Sequence, residues 1–447
     1  MEYQQGLQPP PGCPAHQGEG SMPLHTPEFA ANPEAFYEEL RKHGPAAPVE
    51  LAPGVEAALV TSYGAALRVL QNPDFFAKDS RRWRALNEGR IPEDSPVLAM
   101  MAYRPNCLFT DGTDHIRLRQ AVTDSLAQVN PLHLSRHVER VAGYLIDQFA
   151  FRGEVDLLDD YAKALPLLVF NQLFGCSAEI GDKILYGMSA IFDGFDTENA
   201  DAQLTEGLMT LISQKRARPD NDVTSRLIAH PAGLNDEEMV HQLVMLMGAG
   251  TEPQRNLIAN SLRLLLSDDK YAGQGFGAGL LVEDAIDDVL WNTPPIANYS
   301  PHYPVQDVDL DGVHLRAGDP VLISFAAANN DPAMDSSRQT LSKRAHLAWG
   351  AGPHACPAKD PARLIAVTAV EKLLNRLPDV ELAVPVEQLS WRPGPFHRAL
   401  VSLPARFAPV RRSFTPLQES AAQESEASRN DRARKSRWSS FLEWLKA

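Results

Sequence analysis

The sequence predicts a mainly α-helical protein with a small β portion. Apolar residues recur at helical spacing over most of the chain, and the longest such segment runs from Asn235 to Leu266. Stretches that favour strands are short and few, near residues 57–61 and between residues 305 and 324. With 447 residues, 44% of them hydrophobic, the chain can bury the core of a single large domain. Further helical segments are expected around Val138–Phe149, Tyr161–Phe174, Ile180–Phe195 and Asp201–Arg218.

Composition narrows the class of function. The formal net charge of −15 argues against nucleic acid as a partner. The four cysteines lie far apart in the sequence, which is typical of a reducing compartment and predicts a cytoplasmic protein. No apolar run reaches about 18 residues, and the N-terminus has no charged-then-apolar pattern. We therefore expect neither a transmembrane helix nor a signal peptide.

The first hundred residues divide into an arm, a small helix–strand region and a long loop. Residues 1–26, rich in Pro, Gly and Gln, are expected to be a disordered arm. A helix is predicted over Pro33–Leu40, a strand over Ala57–Thr61 and a helix over Tyr63–Gln71, which ends before a proline. Residues 75–109 are irregular, and a loop of this length is either a lid or a passive surface loop.

The stretch from His346 to Leu364 carries the strongest functional signal. Cys356 ends a loop shaped by Gly350 and Gly352, directly before a helical pattern. Nearby N–H groups and a helix N-terminus favour a thiolate. No second cysteine lies at CxxC spacing, which argues against zinc, whereas a thiolate bound axially to haem iron needs only one cysteine. The alternative is a Gly-rich loop in which a cysteine is buried by chance.

The letters WGAGPHAC in this stretch closely resemble the haem-binding loop of the cytochromes P450, written FGxGxHxCxG. On this resemblance Cys356 is the iron ligand, His354 lies two residues before it, and Trp349 takes the aromatic position with Gly350 and Gly352 following. The departures are Trp349 itself, in place of Phe, and an alanine in place of the closing glycine.

The resemblance extends over residues 27–409 and implies the cytochrome P450 fold, a single large helical domain that encloses haem b. It makes residues 57–71 the small β-sheet and B helix of the family. It places the loop of residues 75–109 over the substrate side of the haem, and it brings substrate to the helices of residues 186–215.

His115 and Arg119 are candidate ligands of the haem carboxylates. They are four residues apart in a predicted helix over residues 111–126, so they share one face and offer two donors. The resemblance makes this segment the C helix, whose HxxxR motif contacts the haem propionates; a solvated basic face is the alternative.

The resemblance also places His302 where the family has a propionate-binding Arg, although a histidine has a full charge only when protonated. His302 could equally be a plain loop residue.

The long helix is predicted to begin with a capping box formed by Asn235 and Glu238. A break expected at Gly248-Ala249-Gly250 resembles the family's oxygen groove, AGxE(T/D)T, and Gly250 and Glu252 match that motif. Pro253 replaces the threonine whose hydroxyl helps to deliver protons. Inside a regular helix a proline costs about 3 kcal/mol. Thr251 would point roughly 100° away on an ideal helix, so Glu252 remains the candidate acid or proton carrier.

The family's ExxR ion pair is predicted to be missing. In the segment EDAIDDVLWNTPP, Asp288 falls at the position of Glu and Trp291 at that of Arg. The chain in this respect resembles an actinobacterial P450 subgroup that lacks ExxR. Replacement of a buried ion pair by packed apolar groups is often neutral, so we expect Trp291 to fill the volume.

Residues 410–447 are predicted to form a polar linker, disordered over residues 411–436, and an amphipathic C-terminal helix. Trp438, Phe441, Leu442 and Leu445 share one helical face and follow a basic cluster. Such a segment binds a protein partner or an anionic membrane surface, which would make the protein peripheral at the inner membrane face. The alternative is a helix that packs on its own domain.

Three hypotheses of function remain open from the sequence. The first is a haem-thiolate monooxygenase that oxidises a small apolar molecule with O2 and electrons from ferredoxin and ferredoxin reductase. The second is an enzyme that uses peroxide. The third is a haem-binding regulatory or docking protein with little catalysis. The substitutions at Pro253, Trp291 and His302 motivate the second and third.

Overall fold

The computed structural model describes residues 21–193, 197–268, 271, 279–334, 342–410 and 441. The chain forms two compact units. The first consists of Met1–Tyr103, Ile296–Ala355 and Trp391–Arg398, and the second of Arg104–Pro295, Cys356–Ser390 and Ala399–Ala447.

The first unit is built on a six-stranded sheet in the order β1-β2-β3-β9-β6-β4. Strands β2 and β3 are antiparallel, β3 runs parallel to β9, and β9 pairs with β6 in antiparallel register. A separate hairpin joins β7 and β8. The strands are β1 (Met22–Pro23), β2 (Ala46–Ala52), β3 (Val55–Val60), β4 (Phe76–Ala77), β6 (Asn298–Pro304), β7 (Val308–Leu310), β8 (Val313–Leu315) and β9 (Val321–Ser324).

Short helices accompany this sheet. They are α1 (Pro27–Ala31), α2 (Pro33–Arg41), α3 (Tyr63–Gln71), α4 (Arg84–Asn87), α5 (Leu98–Met101) and α14 (Phe325–Asn329). Strand β9 lies between β3 and β6, and all four of its residues are buried, as expected for an apolar central strand.

The second unit is mainly helical, with a three-stranded sheet in the order β10-β11-β5. Its long helix α12 packs against α8, α10, α13 and α15. The strands are β5 (Glu154–Asp156), β10 (Glu381–Leu382) and β11 (Pro404–Arg406). The helices are α6 (Gly112–Ala127), α7 (Pro131–Phe149), α8 (Ala164–Leu173), α9 (Ala178–Asp193), α10 (Thr197–Ala217), α11 (Val223–Ala229), α12 (Asp236–Ser267), α13 (Gly279–Asn292) and α15 (Lys359–Arg376).

Several local predictions are confirmed. Helix α3 has the predicted bounds, α2 is one residue longer than predicted, and the capping box at Asn235 is formed in both directions. The turn between β7 and β8 at Asp311-Gly312 has a left-handed backbone, with φ of 52° and 88°, as a tight hairpin requires. Among the described residues, no helix has both the length and the apolar character needed to cross a membrane.

Other predictions differ from the structure. The expected arm extends too far, because Met22–Pro23 already pairs with β2 and Leu24 is fully buried. Strand β6 was not predicted, since Pro301 and His302 interrupt any strand-like pattern. Helix α12 continues through Gly248-Ala249-Gly250 without the expected break, although Pro253 lies inside it. The residues of the tail other than Phe441, and residues 335–341, lie outside the described part of the chain.

Candidate functional site

The loop before Cys356 is shaped by two glycines of the first unit. Gly350 and Gly352 both have a φ of 68°, a left-handed conformation that favours glycine. The Gly350 N–H donates to the Leu347 carbonyl at 2.7 Å, and the Ala355 N–H donates to the Gly352 carbonyl at 3.1 Å. A Cβ at Gly352 would overlap the backbone carbonyl of Leu70 in α3, so no larger residue fits there. The glycines therefore fix the path of the chain that leads to the cysteine.

Cys356 is the first residue of a segment of the second unit, and it is partly exposed. Desolvation raises the pKa of its thiol, while the Ala358 backbone N–H and the charges of Arg119 and Lys359 act in the opposite direction. The protein alone therefore favours the neutral thiol. The positive charge of a bound metal ion would act in the opposite direction and favour the thiolate.

The donor set around Cys356 fits haem better than a bare metal ion. Among the described residues, no three His, Cys, Asp or Glu side chains come together as a metal-binding group. Haem provides the remaining iron ligands through its porphyrin nitrogens, and it needs one axial ligand from the protein. A lone cysteine after a glycine-shaped loop meets that need. Trp349 and His354 of the same loop are also partly exposed.

Helix α6 carries the two predicted carboxylate ligands. His115 is buried, whereas Arg119 is partly exposed. The charge of Arg119 acts on the thiols of both Cys356 and Cys107, so this guanidinium lies in the neighbourhood of the candidate iron ligand. The guanidinium of Arg119 is thus within electrostatic range of Cys356, and both residues belong to the second unit. The contact of His115 and Arg119 with haem carboxylates stays a prediction.

Gln242 of α12 connects that helix to α6, and sequence reasoning missed it. Its fully buried side-chain amide accepts the Cys107 backbone N–H at 3.2 Å and donates to the Leu118 carbonyl at 3.0 Å. Leu118 precedes Arg119, so this amide helps to fix the position of the guanidinium. The available signal was a glutamine between the apolar residues Met239 and Leu243.

Helix α12 holds the candidate acid group. The Glu252 side chain is 2% exposed; Arg255 donates to it at 3.2 Å and Asn256 at 3.3 Å. The Thr251 hydroxyl donates to the Met247 carbonyl of its own helix at 2.7 Å, which agrees with its prediction as a poor substitute for the missing alcohol. Pro253 has no N–H, so the Ala249 carbonyl lacks the donor that a regular helix supplies.

Phe170 of α8 lies against Gly250 of α12. A Cβ on Gly250 would lie 2.7 Å from the ring of Phe170 in α8. Glycine therefore allows the Phe170 ring to lie against the backbone, two residues before Glu252. The helix is continuous at Gly250, without the expected break, and the role of Gly250 in an oxygen groove stays a prediction.

The region of the missing ExxR motif contains an ion-pair network that the sequence did not reveal. Trp291 is buried, as expected, and Asp288 accepts the Tyr271 hydroxyl at 2.7 Å. Arg363 of α15 forms an ion pair with Asp287 of α13 and a second with Glu283 at 3.0 Å. The sequence feature that could have indicated this network is the i, i+4 spacing of Glu283 and Asp287, which puts both acids on one helix face.

His302 lies on β6 of the first unit and is almost fully buried. Its Nδ1 lies 2.6 Å from the Ser300 carbonyl oxygen, which only accepts, so Nδ1 carries the proton. Burial, and next to it the charge of Lys78, hold the pKa of His302 well below its ordinary value. The ring is therefore neutral and does not supply the full charge that a propionate-binding arginine would.

Comparisons with known proteins agree with this architecture. No protein-family model matches the chain. Cytochrome P450 monooxygenase PikC of Streptomyces venezuelae is 32% identical over 399 residues, 85% of this chain and 92% of that protein. The mycinamicin IV hydroxylase/epoxidase of Micromonospora griseorubida is 29% identical over 382 residues, 82% of this chain and 94% of that protein. The structure of CYP154C4 from Streptomyces sp. ATCC 11861 matches with a TM-score of 0.78 and 27% identity, covering 87% of this chain and 98% of that one.

A mainly α fold with one cysteine after a glycine-shaped loop defines the class of haem-thiolate proteins. The relatives identify the family within that class: the chain belongs to the cytochromes P450. It is accordingly a P450 monooxygenase with the P450 fold, and haem b is its cofactor.

Proposed function

We propose that this P450 oxidises an apolar small organic molecule with O2, using electrons from ferredoxin and a ferredoxin reductase. The observation that carries the O2-dependent reaction is the buried carboxylate of Glu252, which Arg255 and Asn256 hold in place on α12. Oxygen activation consumes protons, and a positioned carboxylic group is a suitable carrier. Hydrogen peroxide brings both of its protons, so peroxide chemistry takes up no net protons through such a carrier.

Each site residue has a proposed role. Cys356 would bind the haem iron, and its thiolate would donate electron density to it. His115 and Arg119 would hold haem carboxylates. The loop of Trp349, Gly350 and His354 would set the path of the chain that leads to the cysteine.

The proton route proposed for this chain starts at Glu252. Pro253 offers no hydroxyl, and the Thr251 hydroxyl is bonded to its own helix. An ordered water or a hydroxyl of the substrate therefore completes the route from Glu252. Arg255 and Asn256 keep the carboxylate in one orientation, which is the condition for directed proton transfer.

An apolar substrate is supported by side chains of the second unit. Phe170, Val244 and Met245 pack as partly buried residues against an apolar cluster that includes Met188 and Cys107. The Cys107 sulfur lies 3.8 Å from that of Met245. Methionine side chains adapt to irregular apolar shapes. Mycinamicin IV hydroxylase/epoxidase, by its name, acts on mycinamicin IV. For this chain we propose a small apolar organic molecule as the substrate.

The direct test compares two oxidant regimes on the purified holoprotein. Small molecules are first screened for a shift of the haem Soret band. Each hit is then incubated with NADPH, ferredoxin and reductase, or with hydrogen peroxide alone. Product formation with the reductase system supports the proposal. Product formation with hydrogen peroxide, but none with the reductase system, contradicts it.

A peroxide-driven enzyme is the second candidate, and Pro253 is the observation that favours it. Hydrogen peroxide would replace both O2 and the electrons. An enzyme that uses it therefore bypasses the relay hydroxyl that Pro253 cannot supply. The departures at Asp288 and Trp291 also lead us to propose that the protein belongs to the P450 subgroup that lacks ExxR.

The tail motivates the third candidate, a docking protein, but Phe441 supports a different role. Its ring is fully buried, 5.2 Å from that of Tyr144 and 6.1 Å from that of His137, both on α7. We propose that the tail is anchored to its own chain through Phe441. Binding of the tail to a partner or membrane stays a prediction, as does the cytoplasmic location.

A further inference from the structure

Helix α7 of the second unit has an aromatic contact that haem binding does not explain. Phe441 of the tail is fully buried, and its ring lies edge-to-face 5.2 Å from that of Tyr144 and 6.1 Å from that of His137. Tyr144 and His137 are themselves only 7% and 5% exposed. Aromatic pairs of this kind stabilise a contact beyond the area that they bury. This part of α7 is therefore an aromatic site that a residue of the tail fills.

The sequence around Phe441 is typical of a segment that binds an anionic membrane surface. Residues 429–447 contain six Lys or Arg and two Asp or Glu, in a chain whose net charge is −15. The large apolar residues after the basic cluster recur at helical spacing and are predicted to share one helical face: Trp438, Phe441, Leu442 and Leu445. Basic residues combined with a face of Trp, Phe and Leu are the pattern of helices that lie in the membrane interface.

Phe441 is needed by both of these contacts. Its ring belongs to the set that would enter the lipid, and the same ring is fully buried against α7. One side chain cannot be buried in two places at once, so Phe441 has to leave α7 before its whole apolar face can lie against lipid. A ligand that binds one of two states shifts the equilibrium toward that state. Contact with α7 and contact with lipid therefore exclude each other.

We propose that α7 and an anionic membrane surface compete for the apolar face of the tail. In the docked state Tyr144 and His137 hold Phe441. In the released state the apolar face enters the membrane interface, and the basic residues before it contact the lipid phosphates. The surplus of cations in an otherwise acidic chain is the reason for choosing an anionic lipid surface as the partner. This inference rests on the proposed anchoring of the tail through Phe441.

The test measures how tightly the full-length holoprotein binds vesicles of phosphatidylglycerol and phosphatidylcholine in equal parts. Tyr144→Ala removes a partner of Phe441 and leaves the sequence of the tail intact. Loss of one aromatic pair weakens docking, and the apparent affinity for vesicles rises with the released fraction, so we expect Y144A to bind about two- to tenfold more tightly than wild type. His133→Ala, at an exposed position of the same helix, is the control and should bind as wild type does.

Further variants show whether the gain comes through the tail. Replacement of Arg434 and Lys435 by Gln in the Y144A protein should remove the gain, because each basic residue near an anionic surface contributes about fivefold to binding. Vesicles of phosphatidylcholine alone should show no gain in Y144A over wild type. If the gain persists without these cations, or appears equally with neutral vesicles, it comes from another surface and the inference is wrong.

Tyr144→Leu keeps the test decisive if Y144A does not fold. Leucine fills most of the volume and removes the aromatic contact, so this variant should also bind anionic vesicles more tightly than wild type. Circular dichroism and the haem carbonyl spectrum report whether each variant is folded. A folded variant of Tyr144 that binds no more tightly than wild type contradicts the competition.

Hydrogen exchange of α7 distinguishes failure of this inference from failure of the anchoring. Phe441→Ala should speed the exchange of backbone amides near Tyr144, because the ring no longer covers that part of the helix. Faster exchange in F441A, with no gain of vesicle binding in the Tyr144 variants, would leave the anchor in place and overturn the competition. Unchanged exchange in F441A would contradict the anchoring, and the competition with it.

Discussion

Arg363 of α15 lies seven residues after the candidate iron ligand in the chain, and it is paired with Asp287 of α13. Both side chains are largely buried, at 14% and 9% exposure, and Glu283 adds a second carboxylate at 3.0 Å. The helix that lacks the ExxR motif is therefore still held by an acid–arginine network, whose arginine comes from the helix that follows Cys356.

Removal of Arg363 should destabilise the holoprotein strongly. Arg363→Leu leaves two carboxylates without their cation, and breaking a buried pair costs about 3–5 kcal/mol. The control is Arg376→Leu on the same helix, whose pair with Asp147 is exposed and is worth about 1 kcal/mol or less. Urea unfolding followed by circular dichroism measures both. If Arg363→Leu lowers the free energy of unfolding no more than Arg376→Leu does, the network is not a stabilising feature.

Glu252→Gln should slow product formation with the reductase system. The amide keeps the shape but cannot carry the proton, and positioned proton transfer contributes about 10²–10⁴-fold to rate. The measurement is kcat with its solvent deuterium isotope effect, while the substrate-induced Soret shift reports that binding is intact. A variant with wild-type kcat would remove Glu252 from the proton route.

Pro253→Thr should raise the fraction of NADPH that ends in product. Threonine adds the missing hydroxyl next to Glu252, and its N–H can donate to the Ala249 carbonyl, which the proline cannot do. Product per NADPH consumed and hydrogen peroxide released are measured together. Pro253→Ala is the control, because it restores the N–H without the hydroxyl. If both variants couple equally well, the hydroxyl is irrelevant.

His137 should make stability fall as the pH is lowered. Burial, and next to it the charge of Arg140, lower the pKa of His137 to about 4, from an ordinary value of 6.5. Between these values the unfolded chain binds a proton that the folded chain does not, so the free energy of unfolding decreases as pH falls from about 6.5 to about 4. The full effect is of the order of 3 kcal/mol.

Phe441→Ala tests whether the tail contributes to that burial. The ring of Phe441 lies 6.1 Å from that of His137, so the variant should admit water and return the pKa of His137 toward its ordinary value. Unfolding by urea between pH 7 and pH 4.5 should then depend less on pH than in wild type. An unchanged pH dependence would place the cause of the shift in α7 and its other neighbours.

Local sequence patterns predicted the parts of the molecule whose causes lie close together in the chain. The capping box at Asn235, the helix over residues 63–71 and the glycine-shaped loop before Cys356 each depend on residues a few positions apart. The family resemblance supplied the haem, and with it the candidate roles of His115 and Arg119.

The missed features depend on distant pairs. Lys78 meets Ser300 across 222 positions, Gln242 meets Leu118 across 124, and Arg363 meets Asp287 across 76. No local pattern encodes such pairings. The continuity of α12 was missed for a related reason. Packing of α12 against its neighbouring helices outweighs the one hydrogen bond that Pro253 removes.

The bond between the Cys356 sulfur and haem iron is tested most directly by Cys356→Ser. The measurement is the carbonyl difference spectrum of the reduced protein, with haem content determined on the same sample. We predict that the wild type shows the carbonyl band at the thiolate wavelength and that the serine variant loses it. A serine variant that retains both the haem and that band would contradict the assignment of Cys356.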